Sequence, residues 1–207
     1  MLNKHTRQKQ QQQGFTLVEL SITLVLIAGF LLAGLYFVQR IQLENAINKT
    51  TADATVTMNA AIAATAGDAS TDKHTVASLA AMNVWPKDRL IYKDGAVSEV
   101  AGQFPGSTEK LAPNVAISTT PPLNANQGFT YTLNNIPSEA CASVVKNLAL
   151  HPNVVQAKAG DAGATTALTD LVDATDKKLI VSPTNLAKTA TCGGSKPKKI
   201  EVSFFKS

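Results

Sequence analysis

Residues 14–38 read GFTLVELSITLVLIAGFLLAGLYFV, and within the 24 residues from Phe15 to Val38 the only charge is Glu19. At a rise of about 1.5 Å per residue such a helix reaches roughly 36 Å, against a hydrocarbon core of about 30 Å. The stretch is therefore long enough to cross a membrane. From about Gln39 onward the chain is rich in Ala, Thr, Asn, Lys and Asp and reads as water-soluble. The 207 residues suffice for one globular domain with a modest core.

The net charge of +4 is concentrated ahead of this stretch, where Lys4, Arg7 and Lys9 lie in a 14-residue segment without Asp or Glu. Removing that segment leaves +1, from 16 basic and 15 acidic residues. No basic run is interleaved with aromatics in the body of the chain, so no specific nucleic-acid partner is expected. Residues 1–14 resemble a signal-peptide n-region. The apolar run that follows is far longer than the 7 to 15 residues of a cleaved signal and lacks a small-residue cleavage site at its end. The apolar helix is therefore expected to stay on the mature chain. Positive charge before it, against Arg40 alone close behind, orients the N-terminus to the cytoplasm.

Hydrophobicity alone would fit a simple signal-anchored protein. Two features argue for more. Gly14 is a small residue at the polar-to-apolar junction, where a peptidase facing the cytoplasm can reach the backbone. Glu19 lies one turn inside the apolar segment, where an ionised side chain costs about 2.5–3.5 kcal/mol on insertion scales. Gly14-Phe15-Thr16-Leu17-Val18-Glu19-Leu20 resembles the prepilin cleavage motif of the type IV pilin superfamily, which includes the type II secretion pseudopilins. The resemblance implies cleavage between Gly14 and Phe15 by a prepilin peptidase and methyltransferase, N-methylation of Phe15, and a role for Glu19 in assembly. The physics is consistent: cutting creates an ammonium group on Phe15 in the apolar layer that holds the Glu19 carboxylate. Pairing the two between neighbouring subunits compensates both charges, and breaking a buried pair costs about 3–5 kcal/mol.

Beyond the apolar span, Leu43, Ile47, Ala54, Met58, Ala61 and Ile62 recur at helical spacing, which lays an apolar stripe along residues 39–66 before a stop at Gly67-Asp68. That stripe is expected to pack on the globular part, whereas the first half must be covered by lipid or by neighbouring subunits. Gly29 and Gly34 each weaken a helix by about 1 kcal/mol relative to Ala, and they allow close helix approach. Many type IV pilins carry a proline about 22 residues into the mature chain, where this sequence has Tyr36. Any melted segment in a filament is accordingly expected around Gly29–Gly34.

The remainder reads as a globular head over 67–207. A short helix is expected over Asp72–Leu79, ending before Trp85-Pro86. Strands are expected over 89–92, 97–100, 115–119, 129–133 and 199–205, punctuated by Asp94-Gly95, Pro105-Gly106 and Pro121-Pro122. A further helix is expected from Pro137-Ser138-Glu139 to Leu150. The fold class is α+β: a long N-terminal helix, its hydrophobic half protruding and its amphipathic half packed on an antiparallel sheet. Because the head would be exported, Cys141 and Cys192 are expected to form a disulfide; the alternative is two free buried thiols. Ile136-Pro137-Ser138-Glu139-Ala140-Cys141, with a second cysteine near the last strand, is similar to the type IVb pilins, the toxin-coregulated, bundle-forming and conjugative thin pilus class.

No enzyme motif is found. His74 and His151 lack metal-ligand spacing, no phosphate-binding loop or nucleophile elbow occurs, and no metal or cofactor is expected. Asp170, Asp173 and Asp176 could in principle gather around Ca²⁺, but they read as a solvated face. The resemblance implies the major subunit of a type IV pilus, held first in the bacterial inner membrane with its head in the periplasm, then polymerised into an extracellular helical homopolymer. Its expected partners are other copies of itself, the prepilin peptidase and methyltransferase, the inner-membrane pilus assembly machinery, and the lipid bilayer before assembly. A minor pilin or pseudopilin is one alternative, and a monomeric signal-anchored adhesin is another.

Overall fold

A computed structural model of the chain describes residues 16–114, 124–163, 169–170 and 191–205. The first element is α1 (Leu17–Ala64), a helix of 48 residues that passes without interruption through Gly29 and Gly34. It is followed by α2 (Val76–Ala81), a 3-10 turn (Lys87–Arg89), β1 (Leu90–Lys93), β2 (Ala96–Ala101), β3 (Thr108–Pro113) and β4 (Gly128–Ile136). The chain continues through α3 (Ser138–Ala149), β5 (Val154–Asp161), β6 (Thr169–Asp170) and β7 (Lys198–Phe205). The strands form one seven-stranded sheet in the order β1-β2-β3-β4-β7-β5-β6, antiparallel at each pairing.

The chain divides into two units, residues up to Gln42 and residues from Leu43 onward. In the first, residues 16–42 are exposed throughout, including fifteen large apolar side chains between Leu17 and Val38. In the second, Ile47, Ala54, Met58 and Ala61 of α1 are buried, and Leu43 and Ile62 are partly buried against them. These six are the stripe expected from spacing, and buried Thr50 and Thr57 complete it. Ala54 and Ala61 are fully buried, because a methyl side chain lets the helix backbone approach its neighbours closely. Thr51, Thr55 and Thr65 donate their hydroxyls to the carbonyls of Ile47, Thr51 and Ala61 at 2.8–2.9 Å, which satisfies polar groups that a helix would otherwise bury unpaired.

One core cluster joins this face of α1 to Leu79 of α2, to Trp85, to Phe129, Tyr131 and Leu133 of β4, to Val144 and Leu148 of α3, and to Ile200, Val202 and Phe204 of β7. Cys141 and Cys192 lie in the same core and are joined as a disulfide, with Cα atoms 5.4 Å apart. The bridge ties α3 to the segment entering β7.

Several local expectations are corrected. The second helix begins at Val76 rather than Asp72, because Thr75 and Ser78 form a reciprocal capping box there. Ahead of it, Thr71 bonds to Asn126 and Gly128 of the β3–β4 connection, which holds residues 71–74 in turns. Arg89 belongs to the 3-10 turn, so β1 starts one residue later. Asp94 and Gly95 both take positive φ, 52° and 80°, the backbone of a type I′ hairpin turn. Three strands, β3, β5 and β6, were not expected. The candidate strand at 115–119 and the turn at Pro121-Pro122 lie outside the described residues.

Candidate processing and assembly site

The residues singled out from sequence gather at the start of α1. The hydroxyl of Thr16 accepts the Glu19 N–H at 3.3 Å, and the Leu20 N–H donates to the Thr16 carbonyl at 3.1 Å. Thr16 is thus the N-cap, and Glu19 occupies the third helical position of a T-x-x-E pattern. The Glu19 carboxylate sits in the first turn, where the helix dipole favours negative charge. Ser21 donates to the Val18 carbonyl at 2.7 Å and Thr23 to the Glu19 carbonyl at 2.8 Å, so both neighbouring hydroxyls are used by the helix itself. Gly14 and Phe15 lie outside the described residues.

Gly29 and Gly34 lie in the exposed apolar half of α1, and a Cβ built at either would meet nothing within 4 Å. Nothing in the described chain requires glycine at these two positions. The helix is long and apolar enough to cross a membrane.

Residues 9–36 match the prokaryotic N-terminal methylation motif. The match takes in the polar-to-apolar junction, Thr16, Glu19 and both helix glycines. No curated protein sequence matches the chain. The methylation motif supports a type IV pilin-like or pseudopilin precursor, a structural protein rather than an enzyme, with a membrane-anchoring N-terminal helix. It also implies processing by a prepilin peptidase and handling by an assembly machinery. A long N-terminal helix leading into an antiparallel sheet with helices is the matching pilin-like architecture.

The second unit contains a polar network that no sequence pattern announced. Arg89 donates to Asp53 of α1 at 2.9 Å, to Glu109 of β3 at 2.5 Å and to the Ala101 carbonyl at 2.8 Å. Tyr131 of β4 donates to the other Glu109 oxygen at 2.5 Å, and Gln103 donates to Asp53 at 2.5 Å. Glu109 and Tyr131 are fully buried, so the carboxyl rests on protein partners in place of water. Burial pushes the Glu109 carboxyl up from the usual range, against the opposing pull of Tyr131 and Arg89. Burial and the adjoining Glu109 raise the Tyr131 hydroxyl well above its ordinary value. Elsewhere, a hydrogen bond from Lys198 at 2.6 Å lowers the Asp161 carboxyl, and burial lowers His151.

The face of the sheet lined by Thr130, Thr132, Gln156, Lys158 and Ser203 carries an open groove of about 590 Å³ whose described lining holds no histidine or cysteine. His74 is held by Asp68 at 2.8 Å and is buried. Among the described residues no cluster of three or more His, Cys, Asp or Glu could hold a metal ion. Asp173 and Asp176 lie outside them.

Proposed function

We propose that the chain is the precursor of a type IV pilus subunit, most like a type IVb major pilin. In this reading residues 1–14 are a leader, 15–38 are stored in the bacterial inner membrane and later form the filament core, 39–66 join the helix to the head, and 67–207 are the head, with the region 141–192 bounded by the disulfide. The leader is cut between Gly14 and Phe15, the new amine is N-methylated at Phe15, and subunits polymerise through α1 into an extracellular pilus. The observation that carries the reading is the exposed apolar helix, Leu17–Val38, lying inside a methylation motif on a chain that also has a folded α+β head.

Burial of an exposed Val, Leu, Ile or Phe side chain yields about 1.5–3 kcal/mol, so covering this segment yields on the order of 20 kcal/mol. Lipid supplies that cover before assembly, and other copies of α1 supply it afterwards. The Phe15 amine, created only by cleavage, pairs with Glu19 of a neighbouring subunit and sets axial register. Gly29 and Gly34 let neighbouring helices approach, or let the helix yield, within the filament. A second reading, a minor pilin or type II secretion pseudopilin, shares the methylation motif. Intact-mass measurement and electron microscopy of sheared surface material test both. A mature chain starting at methylated Phe15 as the main component of abundant filaments is expected. A chain retaining residues 1–14, or one found only in trace amounts beside another subunit, would refute the major-pilin reading.

A further inference from the structure

Five side chains from four structural elements and a loop converge on one buried point beside α1. Asp53 comes from α1, Arg89 from the 3-10 turn, Gln103 from the loop after β2, Glu109 from β3 and Tyr131 from β4. Two carboxylates share one guanidinium, and one of them, Glu109, is completely buried while Asp53 is about one third exposed. The cluster therefore holds an excess negative charge when both carboxylates are ionised. Neutral partners, Tyr131 and Gln103, supply the remaining hydrogen bonds.

We propose that Asp53, Arg89, Gln103, Glu109 and Tyr131 form a proton-operated clamp that fixes the second half of α1 to the sheet, tightening as Glu109 takes up a proton and loosening as it loses one. The inference rests on the fold of residues 43–205 and is independent of the assembly reading. A proton on Glu109 removes the excess charge while Arg89 keeps Asp53, so the tie between α1 and the 3-10 turn persists in the protonated form. Among the described residues, the charged and titratable groups facing Glu109 are Asp53 on α1, Arg89 on the 3-10 turn and Tyr131 on β4; the strand residues paired with it, Val100 and Leu133, are apolar. Tyr131 stays neutral throughout the working range, because its hydroxyl is raised well above 10.0.

The sign follows from linkage. The folded carboxyl binds its proton more tightly than the unfolded one, whose ordinary value is 4.5. The stabilisation is complete below that value and is lost as pH rises through the folded one, by at most about tenfold in the folding equilibrium per pH unit for one proton. The test is amide-hydrogen protection of α1 residues 47–61 in the full-length chain in detergent micelles, measured between about pH 5 and 8 with intrinsic exchange rates factored out. Protection in the wild type is expected to fall with pH, and in Glu109→Gln to stay flat over the same window. Asp53→Asn removes a neighbouring negative charge and is expected to move the wild-type fall to lower pH. Asp53→Asn carries the test alone if Glu109→Gln does not fold. Parallel profiles for wild type and Glu109→Gln, or a fall that Asp53→Asn leaves in place or moves to higher pH, would overturn the clamp.

Discussion

Replacing Glu19 with Gln separates two roles that its position allows. As a first-turn carboxylate capped through Thr16, Glu19 complements the helix dipole, a contribution of about 0.3–1 kcal/mol. Gln keeps most of the side-chain volume and hydrogen-bonding capacity and forfeits only that term. As the partner of a neighbouring subunit's amine, Glu19 belongs to a buried pair whose breakage costs about 3–5 kcal/mol. The difference is decisive, because 3–5 kcal/mol per contact raises the subunit concentration needed for assembly by a factor of about 150–5,000. Glu19 is also the lone charge in an otherwise apolar span, so its removal favours membrane residence by about 2.5–3.5 kcal/mol. Both effects push the same way, toward subunits that accumulate in the membrane and do not polymerise. The assay compares membrane-fraction and sheared-filament amounts of Glu19→Gln and wild type in cells that supply the peptidase and assembly machinery. Filaments at more than about a tenth of the wild-type amount would limit the contact to roughly 1.4 kcal/mol and refute the pairing.

Arg89→Met strips Glu109 of its cation, with an expected loss of about 3–5 kcal/mol; at 2–4 °C per kcal/mol this lowers the melting temperature of the head by about 6–20 °C. Trp85, the single tryptophan and fully buried, reports that transition by fluorescence, and a shift under about 2 °C would contradict the assigned role of the network. Gly34→Ala stabilises the helix by about 1 kcal/mol and meets no atom of its own chain, so the head's melting temperature is expected to hold while filament yield drops. Unchanged filaments would remove the proposed role of that glycine. Replacing both Cys141 and Cys192 with Ser opens a link across a sequence separation of 51 and is expected to cost about 4 kcal/mol, read as a lower denaturant midpoint for the head. Gly128→Ala places a Cβ 2.1 Å from the Phe204 carbonyl oxygen and is expected to cost roughly 1–3 kcal/mol by prising β4 from β7; a neutral melting temperature would show that the strands yield freely.

Much of the architecture was legible because it rests on periodicity and composition. An unbroken apolar run sets the first half of α1, and apolar residues every three or four positions set the buried face of the second. Alternation of Ile200, Val202 and Phe204 marks β7, and Asp94-Gly95 marks a hairpin by its backbone freedom. Strands β3 and β5 were not legible. The first, Thr108–Pro113, hides its inward face behind Glu109, a charge that only a partner from elsewhere in the chain makes tolerable. The second, Val154–Asp161, buries Ala157 and Ala159, which carry little strand preference of their own and take that form through pairing with β7.

The same division holds for function. The sequence alone determined the membrane-length helix, the lone Glu19 and the polar-to-apolar junction at Gly14, because each is a matter of local chemistry along the chain. Tertiary structure decided that Thr16 caps the helix one turn ahead of Glu19, that Cys141 and Cys192 meet, and that Asp53, Arg89, Glu109 and Tyr131 share a buried site. Asp53 and Tyr131 are 78 positions apart in the chain. Whether such charges become a network or a solvated surface depends on which faces the fold turns inward, and that is settled by long-range packing.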